Sequence, residues 1–449
     1  MKGHLLKALV LLLTLTSTVL GQYSFDFSGG GARAEAMGEA YLALSDDVYS
    51  ASWNPAGLYA IEKPVLGFSW TRLSPRGGSS VILPISGTWM DHTGSFSNLG
   101  SIAFAAPFRV KGHPFVGSAA FSRSWDVFLE FSSTYDQLNL WQTQGGLLWL
   151  PETMDYRFYL EGGMDVFNMA IATRLYNNIS FGISANICTG SVLRQQFVDR
   201  ITEYYPITLQ IATAQVNSII EDTSKFSGVN FTLGFKYSGE KTWAGLIVKT
   251  PFTLKTDYDS VIYQVAYING GVVDDGTDTV YFMDKLVKYE MPWIIGFGFA
   301  YQVTERLLLA ADAEYRAFAG GKVLARESIL INPGGDNIET FVEYDPDWQN
   351  VSTIRLGGEY MLDTRAGQVP LRLGAGYCPM PDRNSFATGE ISDANRYCLS
   401  LGTGIHWSQI RLDLTYSLST MDYHAFDGYA QRDFTYRNYR LNLGFTGVF

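Results

Sequence analysis

Residues that carry catalytic chemistry are sparse in this chain and badly spaced for it. The five histidines (His4, His92, His113, His406, His424) are scattered, and none forms a HExxH pair. Beyond residue 21 there is no Gly-x-Ser-x-Gly elbow and no P-loop lysine. Gly29-Gly30-Gly31 offers backbone N–H groups of the kind that cradle phosphate, but no Gly-Lys-Ser/Thr follows, so it reads as a tight turn. Asp274-Asp275-Gly276-Thr277-Asp278 resembles a calcium loop without the terminal bidentate glutamate, and reads as a solvated acidic loop. The expectation is no enzyme activity, no metal and no cofactor. The segment 46–58 (DDVYSASWNPAGL) is denser, with Asp46, Asp47, Trp53 and an Asn54-Pro55-Ala56 turn close together.

The elements that would position these residues follow from composition and pattern. Residues 1–21 have an early Lys2 and Lys7, a short apolar run and small residues Val19 and Gly21, which predict a secretory signal cut after Gly21. Charged residues make up 17% and aromatics 14%, an unusual balance for a soluble secreted protein, yet beyond residue 21 no apolar run reaches 18 residues. That argues against membrane helices. The net charge of −11 argues against nucleic acid as a partner.

The dominant signal is period two. In 409–418 (QIRLDLTYSL) apolar and polar residues alternate without interruption, and 178–187, 305–315 and the C-terminus repeat the pattern. Tyr176-Asn177-Asn178, Gly239-Glu240-Lys241, Thr304-Glu305-Arg306 and Trp407-Ser408-Gln409 read as tight turns. Between them lie long connections near 127–161, 194–224, 259–285, 321–349 and 379–395. Short and long connections therefore alternate, as in a transmembrane antiparallel β-barrel with short periplasmic turns and long outer loops. We count fourteen strands between 64–73 and 433–448, with 79–90 as a further strand or part of the first loop. In lipid such a sheet must close. The terminal Phe449 suits recognition by the outer-membrane assembly machinery. Residues 35–44 suggest a short helix, and 22–63 as a whole a plug inside the lumen of a barrel at 64–449.

The chain resembles the FadL/TodX-type outer-membrane transporters of long-chain fatty acids and hydrocarbons, and their PorV-type relatives in protein secretion. The resemblance is carried by Gly31-Ala32-Arg33, Met37-Gly38-Glu39-Ala40-Tyr41, Asp46-Asp47 and Trp53-Asn54-Pro55-Ala56-Gly57-Leu58, similar to the family's N-terminal hatch. Weaker matches are Lys249-Thr250-Pro251-Phe252, Met291-Pro292-Trp293, and 355–360 with 370–377. Glu39 stands where glycine is usual and Tyr41 where phenylalanine is usual. The resemblance implies a fourteen-stranded barrel with an internal plug, in the outer membrane of a Gram-negative-type bacterium.

Three further groups bear on binding. Leu138, Leu140, Trp141, Leu148 and Trp149 fall in one expected outer loop. Ile211, Val216 and Ile219 fall in the next, where 207–220 can form an amphipathic helix. Exposed apolar residues need cover, so these loops either cap each other or form a shallow groove that collects a hydrophobic ligand. By strand parity Cys378 and Cys398 both face the lumen at neighbouring positions across one hairpin, where a disulfide is possible in an oxidising compartment and two unbonded thiols are the alternative. Lumenal charges (Asp312, Glu314, Arg316, Arg355, Glu359, Arg372, Arg411, Asp413, Arg440) predict ion pairs between strands and with the plug, Asp46 and Asp47 facing lumenal arginines. The first reading of function is passive uptake of a hydrophobic small molecule, with outer-membrane lipid around the barrel. The alternative is a secretion-system component that binds partner proteins through its outer loops.

Overall fold

The computed structural model describes residues 29–82, 87–143, 146–204, 212–268, 271–274, 281–330, 337–385, 389–426 and 431–449. The expected signal at 1–21 lies outside them, as do residues 22–28 of the expected plug.

Alternating side chains make two-faced strands, and here the two faces meet different solvents. Along Leu307–Arg316, Leu308, Ala310, Asp312, Glu314 and Arg316 are buried, while Leu309 and Tyr315 are exposed. Leu356, Leu373 and Leu401 are each more than half exposed on neighbouring strands. Such a band of exposed apolar side chains suits lipid.

Fourteen strands form the wall. They are β1 (Val65–Ile82), β2 (Gly87–Thr93 continued by Phe96–Val110), β3 (His113–Thr143), β4 (Gly146–Tyr176) and β5 (Ile179–Tyr204). Next come β6 (Ala212–Ser238), β7 (Thr242–Lys249 continued by Phe252–Ile268), β8 (Tyr281–Met291 continued by Ile294–Gln302) and β9 (Leu307–Arg316 continued by Val323–Leu330). The wall ends with β10 (Asn337–Tyr344 continued by Val351–Thr364), β11 (Gly367–Pro379), β12 (Gly389–His406), β13 (Ile410–Phe426) and β14 (Gln431–Val448). All neighbours are antiparallel, and β1 pairs with β14 from Val65↔Val448 to Ile82↔Gln431, which closes the barrel. Closure removes the edges that lipid could not satisfy. The short turns lie where the sequence put them. Lys111 and Gly112, joining β2 to β3, both have positive φ (50° and 86°), the backbone of a tight two-residue hairpin.

Among the described residues, most of the expected long outer loops are strands instead. β3 and β4 run for 31 residues each and meet near 143 and 146. The alternation in this region is real, but its polarity inverts above the lipid band. On lower β4, exposed Phe167, Met169 and Ile171 alternate with buried Asn168 and Ala170. On upper β4, Phe158 and Leu160 are buried while Arg157 and Glu161 are exposed. With water outside, the apolar face turns inward. The amphipathic helix expected at 207–220 is likewise replaced from Ala212 onward by β6.

The helix expected at 35–44 is shorter and earlier, at α1 (Ala32–Ala36). Gly38 and Glu39 have φ of 64° and 65°, which ends it. A second short helix, α2 (Ser50–Trp53), leads into a 3₁₀ helix at Pro55–Ala60. Ala36, Met37, Ala40, Tyr41, Val48, Ala56 and Leu58 are all under 1% exposed, enclosed by the wall.

Candidate functional site

The lumen holds the N-terminal segment by its backbone. The Asp312 carboxylate on β9 accepts the N–H groups of Tyr41 (2.6 Å) and Leu42 (2.7 Å). The Lys236 ammonium on β6 donates to the carbonyls of Leu44 (3.0 Å) and Ser45 (2.6 Å). Asn54 Nδ2 donates to Leu42 O (2.9 Å) and Phe235 O (3.0 Å), while its Oδ1 accepts from Ala56 N–H (3.2 Å). Thr415 donates to Ala32 O and Ser400 to Ala36 O. Irregular backbone inside a barrel has no ladder of its own, so wall side chains take that role. Close approach needs glycine in the wall: a Cβ on Gly245 would lie 2.1 Å from Leu42 O.

Among the described residues, arginines and carboxylates of the lumen form two paired groups. Arg33 in α1 binds Glu359 through two N–H groups, each at 3.1 Å, and reaches Asp46 at 2.7 Å. Glu359 continues to Arg372 (2.6 Å), Arg372 to Asp413 (2.5 Å) and Asp413 to His406 (2.9 Å). A second group joins Arg355 to Glu314 (3.1 Å) and Glu39 (3.4 Å), with Arg316 on Glu314 (2.9 Å). Arg440 lies 3.8 Å from Glu35, whereas Arg411 is exposed. Buried charges persist when so compensated.

The expected facing of Asp46 and Asp47 toward wall arginines needs correction. Asp46 pairs with Arg33 of its own segment, while Asp47 accepts from the Tyr41 hydroxyl (2.8 Å) and Tyr49 N–H (2.9 Å). The wall supplies the carboxylate, Glu359, and the segment the arginine. Burial pushes the Asp47 carboxyl up from its ordinary range. Trp53 donates from Nε1 to Gly30 O (2.9 Å) and meets Tyr41 edge-on at 6.1 Å. Pro55 and Ala56 are buried in the 3₁₀ helix that Asn54 caps.

Above this segment the lumen carries a buried apolar cluster, interrupted by polar Gln196, Asp222 and Thr256. Phe158, Leu160, Val192, Phe226, Leu254, Val287, Phe318 and Trp348 are buried in one cluster on the inner wall. One cavity opens between it and the segment, lined by Asn168, Asn186, Lys249, Phe252, Met291 and Phe318. A second, of about 120 Å³, is lined by Glu39, Trp125, Asp126, Phe128, Cys398 and Arg440. Beside the second cavity the wall is unzipped. The ladder between β2 and β3 stops at Ser101↔Ser122, and β3 bulges between Arg123 and Trp125. Side chains close the gap above, with Asn98 donating to Asp126 (2.7 Å) and Phe96 stacked on Phe128 at 5.3 Å.

The described backbone places the expected groove residues at two positions on the wall. Leu138, Leu140, Trp141, Leu148 and Trp149 lie on the β3–β4 hairpin, where Leu140 pairs with Trp149 and Trp141 with Leu148. Ile211 lies outside the described residues. Val216 and Ile219, an odd number of positions apart on one strand, sit on opposite faces of β6. The disulfide is not formed: Cys378 and Cys398 are free thiols. In register Cys378 faces Arg396 and Cys398 faces Gly376, so the two are diagonal neighbours. The diagonal still brings the two side chains together, with a thiol–thiol hydrogen bond between them.

Sequence comparison bears on this arrangement. The profile of the outer membrane protein transport protein family (OMPP1/FadL/TodX) matches residues 163–443, well over half of the chain. The chain belongs to this family. No curated protein sequence matches it significantly. Among solved structures, a Pseudomonas aeruginosa FadL homologue is similar at 14% identity and a TM-score of 0.57, over 94% of this chain and 98% of that one. The P. putida toluene transporter TodX is similar at 13% identity and a TM-score of 0.55, over 94% and 99%. The Ralstonia pickettii toluene transporter TbuX gives 13% and 0.56, over 95% and 100%. At these identities the FadL/TodX likeness speaks for the barrel fold. Nothing in it supports the alternative role in protein secretion.

Sequence reasoning missed Asp126, Asn98 and Lys236. A lysine on the buried face of an alternating strand was the available signal for Lys236, because such a charge needs partners.

Proposed function

We propose that the protein takes up hydrophobic small molecules passively across the outer membrane of a Gram-negative-type bacterium, past a plug formed by the N-terminal segment at 22–63. One observation carries this reading. The upper lumen carries a buried apolar cluster that reaches a cavity above the segment, close to an unzipped stretch of wall. A ligand that buries roughly 150 Å² of apolar surface there gains about 4 kcal/mol. A small movement of the segment then connects the cluster to the second cavity, and the gap between β2 and β3 releases the ligand sideways. Similar barrels include structures described as toluene transporters and a monoaromatic hydrocarbon channel, which makes aromatic hydrocarbons and acyl chains the ligands to try.

The test is uptake of radiolabelled oleate and toluene by Gram-negative cells that lack their own long-chain fatty-acid transporter. Expression of this protein raises the rate for at least one probe. Equal rates with and without the protein, together with a purified barrel that carries no lipid by mass spectrometry, would overturn the reading.

A further inference from the structure

The wall is laddered unevenly between β9 and β10. In its lower part the pairing runs from Leu307↔Tyr360 to Arg316↔Val351, and in its upper part it resumes at Val323↔Tyr344. Between these lie 317–322 on one side and 345–350 on the other. Among the described residues, no backbone–backbone hydrogen bond joins those two segments. Each is tied to its other neighbour instead. Ala317 N–H donates to Trp293 O (3.1 Å) and Glu290 N–H to Lys322 O (3.1 Å), both links to β8. Gln349 N–H donates to Pro381 O (3.0 Å), a link beyond β11.

Side chains cross this seam. Ala319 N–H donates to Asn350 Oδ1 (2.9 Å), the Lys322 ammonium meets the Glu343 carboxylate, and the Phe318 and Trp348 rings meet edge-on at 5.6 Å. Both rings are buried, at 2% and 4% exposure, although Ala319, Gly320, Gln349 and Asn350 around them are exposed. Gly320 (φ 80°) and Asp347 (φ 50°) turn the two segments out of the strand path. On the inner side, Phe318 lines the cavity that also holds Phe252, Met291 and Pro292. On the outer side, exposed Tyr315 and Trp293 stand just below the seam and charged Asp345 and Asp347 in its upper half. That sequence of side chains marks the outer lipid–water boundary.

We propose that this seam is a side entrance, through which an apolar molecule dissolved at the outer lipid boundary displaces the Trp348 ring from Phe318 and enters the cavity above the plug. The proposal rests on the hydrophobic-uptake reading. Opening here breaks no strand ladder, unlike opening at any laddered pair of strands. The entrant is apolar because it starts in lipid and because two buried aromatic rings are what it replaces at the seam.

The test is a reversible lock in the full-length protein with Cys188, Cys378 and Cys398 replaced by alanine. Ala319→Cys with Asn350→Cys places a thiol on each side of the seam. Oxidation is expected to lower the initial rate of oleate or toluene uptake roughly tenfold, equivalent to about 1.4 kcal/mol on the barrier, and a reductant restores it. Unchanged uptake by the cross-linked barrel overturns the side entrance and leaves the transport reading standing. If the unlocked, cysteine-free parent moves neither probe, the transport reading fails and the entrance with it. Should the lock pair not assemble, Trp348→Ala is the second variant: a faster rate supports the entrance and an unchanged rate overturns it.

Discussion

The carboxylate of Asp312 accepts the backbone N–H groups of both Tyr41 and Leu42, so one wall residue holds two consecutive amides of the N-terminal segment. Those amides lie just past Gly38 and Glu39, where the helix has ended, and have no helical acceptor. Asp312→Ala leaves two buried donors without a partner, each costing about 1–3 kcal/mol. The expected outcome is an assembled barrel that melts at lower temperature, with a segment that added protease can reach. Heat-modified mobility on gels checks assembly, and N-terminal sequencing of the protease products checks release. Asp312→Asn keeps one acceptor and has the milder phenotype.

Asn54 separates a moving segment from a fixed one. Its side-chain amide bridges Leu42 O and Phe235 O, joining segment to wall. Asn54→Ala removes both bonds and the cap on Ala56 N–H, which costs about 1–3 kcal/mol of attachment. We expect an assembled barrel with altered uptake and raised single-channel conductance in planar bilayers. Loss of assembly with no functional barrel would make the residue purely structural.

Legibility of the fold was set by the lipid band. There the apolar face is outward and long enough to count, so the fourteen strands and their short turns were readable in stretches such as 409–418 and 305–315. Above it the same alternation carries its apolar residues inward, as at Phe158 and Leu160, and it reads as a loop to anyone who expects apolar side chains outside. The hatch motif located the lumenal segment but not its partners. Nothing local in the sequence tells that Asp312 serves Tyr41, or that Arg33 serves Glu359 more than three hundred residues away. Interrupted ladders are harder still, since Pro251 and Pro292 announce two breaks but nothing announces the end of pairing at Ser101.

Asp382, above the lipid band, gives a pH signature to the outer end of the wall. Burial pushes its carboxyl up to about 6, against the opposing hydrogen bond from Trp348 Nε1 at 2.7 Å. The folded protein therefore holds this proton at a pH where the unfolded chain has released it. Stability from this group is fully present below the ordinary value of 3.8 and declines as pH rises through about 6. Thermal melts of the purified barrel should show a downward step over that window. Asp382→Asn keeps the acceptor for Trp348, removes the titration and should flatten the step. An unchanged step in that variant would assign it to another group.

The gap between β2 and β3 supplies the last prediction. Above Ser101 these strands are joined by Asn98 on Asp126 and Phe96 on Phe128, not by a backbone ladder. Asp126 also accepts from Arg123 at 2.6 Å, which keeps the closing carboxylate aimed at the seam. Asn98→Cys with Asp126→Cys, in the cysteine-free parent, puts a reducible bond where the hydrogen bond now sits. If ligand leaves sideways here, oxidation traps it: oleate still binds the purified barrel, cellular uptake falls roughly tenfold, about 1.4 kcal/mol on the barrier, and reductant restores it. Retained uptake in the oxidised form would place the exit past the N-terminal segment into the periplasm, and the loosened Asn54→Ala barrel would then be the faster transporter.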